Sequence, residues 1–102
     1  MLKFVEIDQE TPNKRTADQR VDDFKEIYDR FILDMVKQQS SRCSQCGIPF
    51  CQIHCPLQNN IPDWLKLASE NRFEEAQELA HSTNNMPEVC GRICPQDLLC
   101  EG

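Results

Sequence analysis

The sequence predicts an all-α domain, and three observations carry the prediction. Val21, Phe24, Ile27, Tyr28, Phe31, Ile32, Met35 and Val36 recur three and one residues apart, the repeat of one helix face. Two shorter segments following Pro62 each carry an apolar side. No segment reads as a strand, and there is no internal repeat or low-complexity tract.

Residues 1–15 are polar and mixed in charge, contain Pro12 and have no period, so they read as an extended N-terminal arm preceding a domain over 16–102. Thr16 followed by Gln19 fits a capping box, and the apolar period then predicts one long helix over 17–40. Its other face, with Asp22, Lys25, Glu26, Asp29, Arg30 and Lys37, reads as solvated surface. Ser40 and Ser41 end the helix. In the cysteine loop that follows, Gly47, Pro49 and Pro56 argue against regular helix or sheet. Pro62 suits the first turn of a helix over 62–70, with Trp64, Leu65, Leu67 and Ala68 as its apolar side. Asn71 with Glu74 restarts a third helix over 72–82, carrying Phe73, Ala76, Leu79 and Ala80. After Asn84, Asn85 and Pro87 the chain enters a second cysteine loop around Gly91 and Pro95. Residues 43–60 and 88–102 are expected to be irregular.

With 102 residues there is room for one domain and none for a nucleotide-binding fold beside it. Apolar residues at 39% and aromatics at 7% make a thin core, so something else is expected to help hold the chain together. Seven cysteines are the candidates. Their odd number, and an N-terminus without the pattern of a secretory signal, favour reduced thiols in the cytoplasm over disulfides. No apolar run approaches the roughly 20 residues that span a bilayer. A net charge of −6 without a basic footprint argues against nucleic acid. Between Cys43 and Pro62 there is no Asp, Glu, Lys or Arg, which suggests a site whose own charge dominates its surroundings.

The first cysteines read C-x2-C-x4-C-x3-C-P, from Cys43, Cys46 and Cys51 to Cys55 before Pro56. Bacterial two-cluster ferredoxins carry a related run, in which the cysteine before proline ligates the other cluster. The reason is reach: closely spaced cysteines wrap one cluster, and the next points away. By that logic Cys43, Cys46 and Cys51 serve one cluster and Cys55 a second. Cys94, again followed by proline, and Cys100 supply more thiols. Two four-iron clusters take four ligands each, so seven cysteines fall short of two full sets. The rival is zinc, held by Cys43, Cys46 and Cys51 with His54 or Cys55; but structural zinc sites usually pair two C-x2-C units, and only one exists here. Cys90 extends neither spacing and reads as a packed thiol.

Arg92, in a loop poor in charge, is balanced between offsetting the charge of a thiolate-ligated cluster and lying on the surface. Trp64 reads as a core anchor rather than part of an electron path. His54 and His81 have no carboxylate or nucleophile at a spacing for acid–base catalysis, and no catalytic residue is expected.

The strings CSQCGIPFCQIHCPLQNNIPDWLKLA and ELAHSTNNMPEVCGRICPQDLLCEG, in that order, resemble the N-terminal iron–sulfur domain of NADPH-dependent glutamate synthase small (beta) subunits. That domain recurs in dihydropyrimidine dehydrogenase and related FAD-dependent oxidoreductases. The resemblance covers about residues 16–102. It implies an alpha-helical ferredoxin-like fold with two [4Fe-4S] clusters in loops between helices. One cluster would take Cys43, Cys46 and Cys51 with a cysteine just past Gly102; the other would take Cys55, Cys94 and Cys100 with a non-cysteine side chain further on. Cys90 is left without a ligand role. The resemblance further implies that NADPH reduces FAD in C-terminal domains missing here, and that the clusters help pass electrons to the large (alpha) subunit, where glutamate forms. The chain has no G-x-G-x-x-G unit, so it is not expected to turn over NADPH alone. The alternatives are a zinc-stabilised helical interaction domain and the same module in another FAD-dependent reductase.

Overall fold

A computed structural model describes residues 3–102. The chain is helical as predicted: α1 (Ala17–Asp23), α2 (Leu33–Ser40), α3 (Phe50–His54), α4 (Ile61–Ser69), α5 (Phe73–Ser82) and α6 (Pro87–Ile93). Short 3-10 turns occupy Lys3–Val5 and Gln96–Leu98. Among the described residues the only extended pairing is a single antiparallel bridge between Lys14 and Tyr28.

The predicted helix over 17–40 is two helices. Phe24 takes a left-handed conformation (φ 53°) and caps α1 by donating its N–H to the Arg20 carbonyl. Beyond it, acidic side chains take the donors that a continuing helix would use internally. Asp23 accepts the Lys25 N–H at 2.9 Å, and Glu26 accepts those of Ile27 and Tyr28 at 2.9 and 3.3 Å. Local side-chain capture of this kind competes with helix, and here it wins over the apolar period. Phe24 and Ile27, expected on the buried face, are exposed. Thr16 does stand at the N-cap with extended backbone, but its side chain makes no capping bond.

α4 is the hub, packing against α2, α3 and α5. Pro62 in its first turn is buried, as are Ala68 on α4 and Ala76 on α5. Asn71 does not cap α5; it sits in a left-handed turn (φ 63°) between α4 and α5, which asparagine tolerates better than most residues. Besides Pro62, Ala68 and Ala76 are the only buried apolar residues among those described, so the thin core anticipated from composition is thin in fact. A radius of gyration of 14.6 Å, against about 13 Å for a compact chain of 100 residues, agrees with that.

The arm is strapped to the body. Gln39 on α2 accepts the Glu10 N–H and donates to the Asp8 carbonyl, both at 3.1 Å, while Arg42 donates to the Ile7 carbonyl at 2.9 Å. Further on, the Arg15 N–H reaches the Ile27 carbonyl and the Asp29 N–H reaches that of Asn13, each at 2.8 Å.

Candidate functional site

α2 ends where the buried Ser40 hydroxyl turns back onto the carbonyls of Val36 and Lys37, and Cys43 follows. The first loop is less irregular than expected. Pro49 halts the extended chain, its carbonyl accepts from Gln52 and Ile53, and the five-residue helix α3 carries Cys51. Cys55 closes α3 in extended conformation and lines a cavity with Cys94 and Cys100. Gln52 on α3 donates to the Asn60 side chain at 3.0 Å and so ties the loop to the start of α4.

The second loop also contains a helix that was not expected. Asn84 is buried, and its side-chain oxygen accepts the Met86 N–H at 3.0 Å and the Cys90 thiol at 3.7 Å. That local turn launches α6, whose end delivers Cys94 through a bond from its N–H to the Cys90 carbonyl at 2.9 Å. The signal for Asn84 was an asparagine shortly before a proline-initiated turn, a pattern read only as loop punctuation.

Cys43 and Cys46 are near enough to Cys51, and Cys94 and Cys55 to Cys100, to bear on its titration. For both, burial is the largest cause lifting the thiol above its ordinary range. For Cys51 the backbone N–H of Gln52 opposes this and the neighbouring cysteines add to it. For Cys100 the charge of Glu101 comes next, ahead of Cys94 and Cys55. Cys55, Cys94 and Cys100 line a cavity of about 510 Å³ with Cys90, Trp64 and Ile61, and no charged side chain lines it. Trp64 also lines a second cavity, of about 610 Å³, together with Cys43. It is half-buried.

All seven cysteines are free thiols. Among the described residues, no three His, Cys, Asp or Glu side chains converge as one metal ion would require. His54 is exposed and stacks on Phe50 with ring centroids 6.3 Å apart; His81 donates its Nδ1–H to the Gln77 carbonyl within its own helix. A four-iron cluster binds its thiolates at separate corners and tolerates a wider set than a single ion. Soft thiolates are its natural donors, and the chemistry of this donor set, seven free thiols in two loops, suits it.

This chain is a member of a 4Fe-4S cluster domain family: residues 20–102 match the family described as dihydropyrimidine dehydrogenase domain II, 4Fe-4S cluster. Its role as an iron–sulfur electron-transfer domain follows. Among its relatives, the glutamate synthase [NADPH] small chain of Azospirillum brasilense is 63% identical over 102 residues, which is 100% of this chain and 21% of that protein. The protein of the same name in Escherichia coli (strain K12) is 50% identical over 102 residues, 100% of this chain and 22% of that one. The putative oxidoreductase AegA of Escherichia coli (strain K12) is 45% identical over 92 residues, 89% of this chain and 14% of that protein. The chain thus spans about a fifth of the length of the glutamate synthase small chains it matches. No helix among the described residues is long and apolar enough to cross a membrane.

Proposed function

We propose that this chain is the electron-transfer module of a glutamate synthase small subunit and holds two [4Fe-4S] clusters. The observation that supports the reading is that Cys43 and Cys46 neighbour Cys51 while Cys94 and Cys55 neighbour Cys100, which we assign to two ligand sets, Cys43, Cys46 and Cys51 in one and Cys55, Cys94 and Cys100 in the other. Identity of 63% across the whole chain to a glutamate synthase small chain supports the choice of parent enzyme. When bound, such clusters take up and release single electrons.

The residues of this chain supply three things. α3 and the turn at Cys55 send successive cysteines to different sets, so one loop serves both. The uncharged lining around Cys55, Cys94 and Cys100 leaves thiolate charge there unscreened by local cations, which favours a low potential. Trp64 lines both the cavity beside Cys55, Cys94 and Cys100 and the one beside Cys43, giving each an apolar wall. Three thiols per set leave a fourth ligand for each cluster to be provided from outside these six residues. In the longer cytoplasmic polypeptide, NADPH would reduce FAD in the remaining domains, and these clusters would help relay electrons to the large subunit.

The test is iron and acid-labile sulfide analysis of the full-length protein purified without air, with its visible spectrum. Broad absorption that bleaches on reduction, with about eight irons per chain, is expected. A colourless protein holding zinc would sink the proposal.

A further inference from the structure

Gln45 lies between Cys43 and Cys46 with a left-handed backbone (φ 52°). Its side-chain nitrogen is 3.3 Å from the Cys43 sulfur and 2.7 Å from the carbonyl oxygen of Pro62. A carboxamide nitrogen carries two hydrogens, and here each has an acceptor. The orientation is chemically forced, because a ligating cysteine is a thiolate and, like the carbonyl, can only accept. Pro62 is buried in the first turn of α4, the helix on which α2, α3 and α5 pack. One exposed side chain therefore ties the first cysteine loop to the hub of the fold and points a donor at one of its sulfurs.

We propose that Gln45 is a positioning residue for the cluster on Cys43, Cys46 and Cys51, fixing the Cys43 sulfur against α4 and raising that cluster's reduction potential. The inference rests on the ligand reading above. Reduction adds negative charge that spreads onto the ligand sulfurs, and an N–H aimed at a sulfur stabilises the reduced form more than the oxidised one. The left-handed backbone at Gln45 helps turn its side chain toward both acceptors. Because Pro62 holds the second hydrogen, the amide is preorganised for the sulfur.

The test is a redox titration of the full-length protein followed by electron paramagnetic resonance, comparing wild type with Gln45→Met and Gln45→Lys. Methionine keeps length and loses the donors. At a fixed potential its reduced-to-oxidised ratio for this cluster should fall about tenfold, a shift of ~59 mV for one electron, while the other cluster stays put. Lysine restores a donor and should hold the potential at or above the wild-type value. Loss of the cluster in Gln45→Met with retention in Gln45→Lys also supports the assignment. An unmoved potential in an assembled Gln45→Met protein, or loss of the cluster in both variants, overturns it. A wild-type protein without a cluster on Cys43, Cys46 and Cys51 overturns the ligand reading as well, so the two failures are distinguishable.

Discussion

Arg92 on α6 donates both terminal nitrogens to the carboxylate of Glu26, 66 residues earlier, at 2.5 Å each. The pair joins the second cysteine loop to the irregular segment between α1 and α2. It also answers what Arg92 does. The residue is a half-exposed surface arginine whose charge is matched by Glu26.

The pair gives stability a defined dependence on pH. Glu26 is held down to about 2 from an ordinary 4.5, first by the Arg92 hydrogen bond and then by the Tyr28 N–H. A carboxylate lowered in the folded state contributes above its unfolded value and loses that contribution as pH falls through its folded one. Between about pH 4.5 and 2 the melting temperature should drop, and Glu26→Gln, which lacks the contribution at every pH, should melt somewhat lower than wild type at pH 7 and converge with it as pH falls toward 2. Identical acid profiles for wild type and variant would contradict the pairing.

Asn84 is the second testable support. Replacing it with Ala leaves the Met86 N–H without its partner in a part-buried turn, at a cost of about 0.5–1.5 kcal/mol. Hydrogen exchange over α6 should quicken, and Asn84→Asp, which keeps the acceptor, should recover most of the protection. Unchanged exchange in the alanine variant would mean that the turn stands without it.

The α4–α5 contact should resist enlargement. Ala76 is 8% exposed, and Ala76→Leu places extra methylenes where α5 meets its neighbours, costing about 1–3 kcal/mol in denaturant unfolding. A neutral result would show that the helices can separate freely.

These positions also mark how far the sequence could be read. α4 and α5 were legible to within a residue or so, because Pro62 fixes a start and the apolar faces are unambiguous. The break at Phe24 was hidden, since the apolar period runs straight through it and the decisive bonds come from Asp23 and Glu26, residues any solvated face would carry. α3 and α6 were masked by their length and by the prolines and glycines around them. Spacing and Pro56 suggested separating Cys55 from Cys43, Cys46 and Cys51, while the assignment of Cys94 and Cys100 came with the family resemblance. Gln45 was not, because an exposed glutamine carries no signal until its two acceptors are located.

Metal should matter unequally along the chain. The 102-residue polypeptide purified in air should hold far fewer than about eight irons, since six thiols cannot complete two four-ligand sets. Its helical circular dichroism should nonetheless persist, because α2, α4 and α5 pack through side chains and not through metal. Loss of helical signal with the iron would contradict this.

The division of ligands is tested most directly by replacing Cys55 and Cys90 separately with Ser in the full-length protein and counting clusters by iron analysis and electron paramagnetic resonance. Cys55→Ser should perturb or remove the cluster on Cys94 and Cys100 while leaving the signal of the cluster on Cys43, Cys46 and Cys51 intact; Cys90→Ser should keep both. Loss of the first cluster in Cys55→Ser, or of either in Cys90→Ser, would contradict the account.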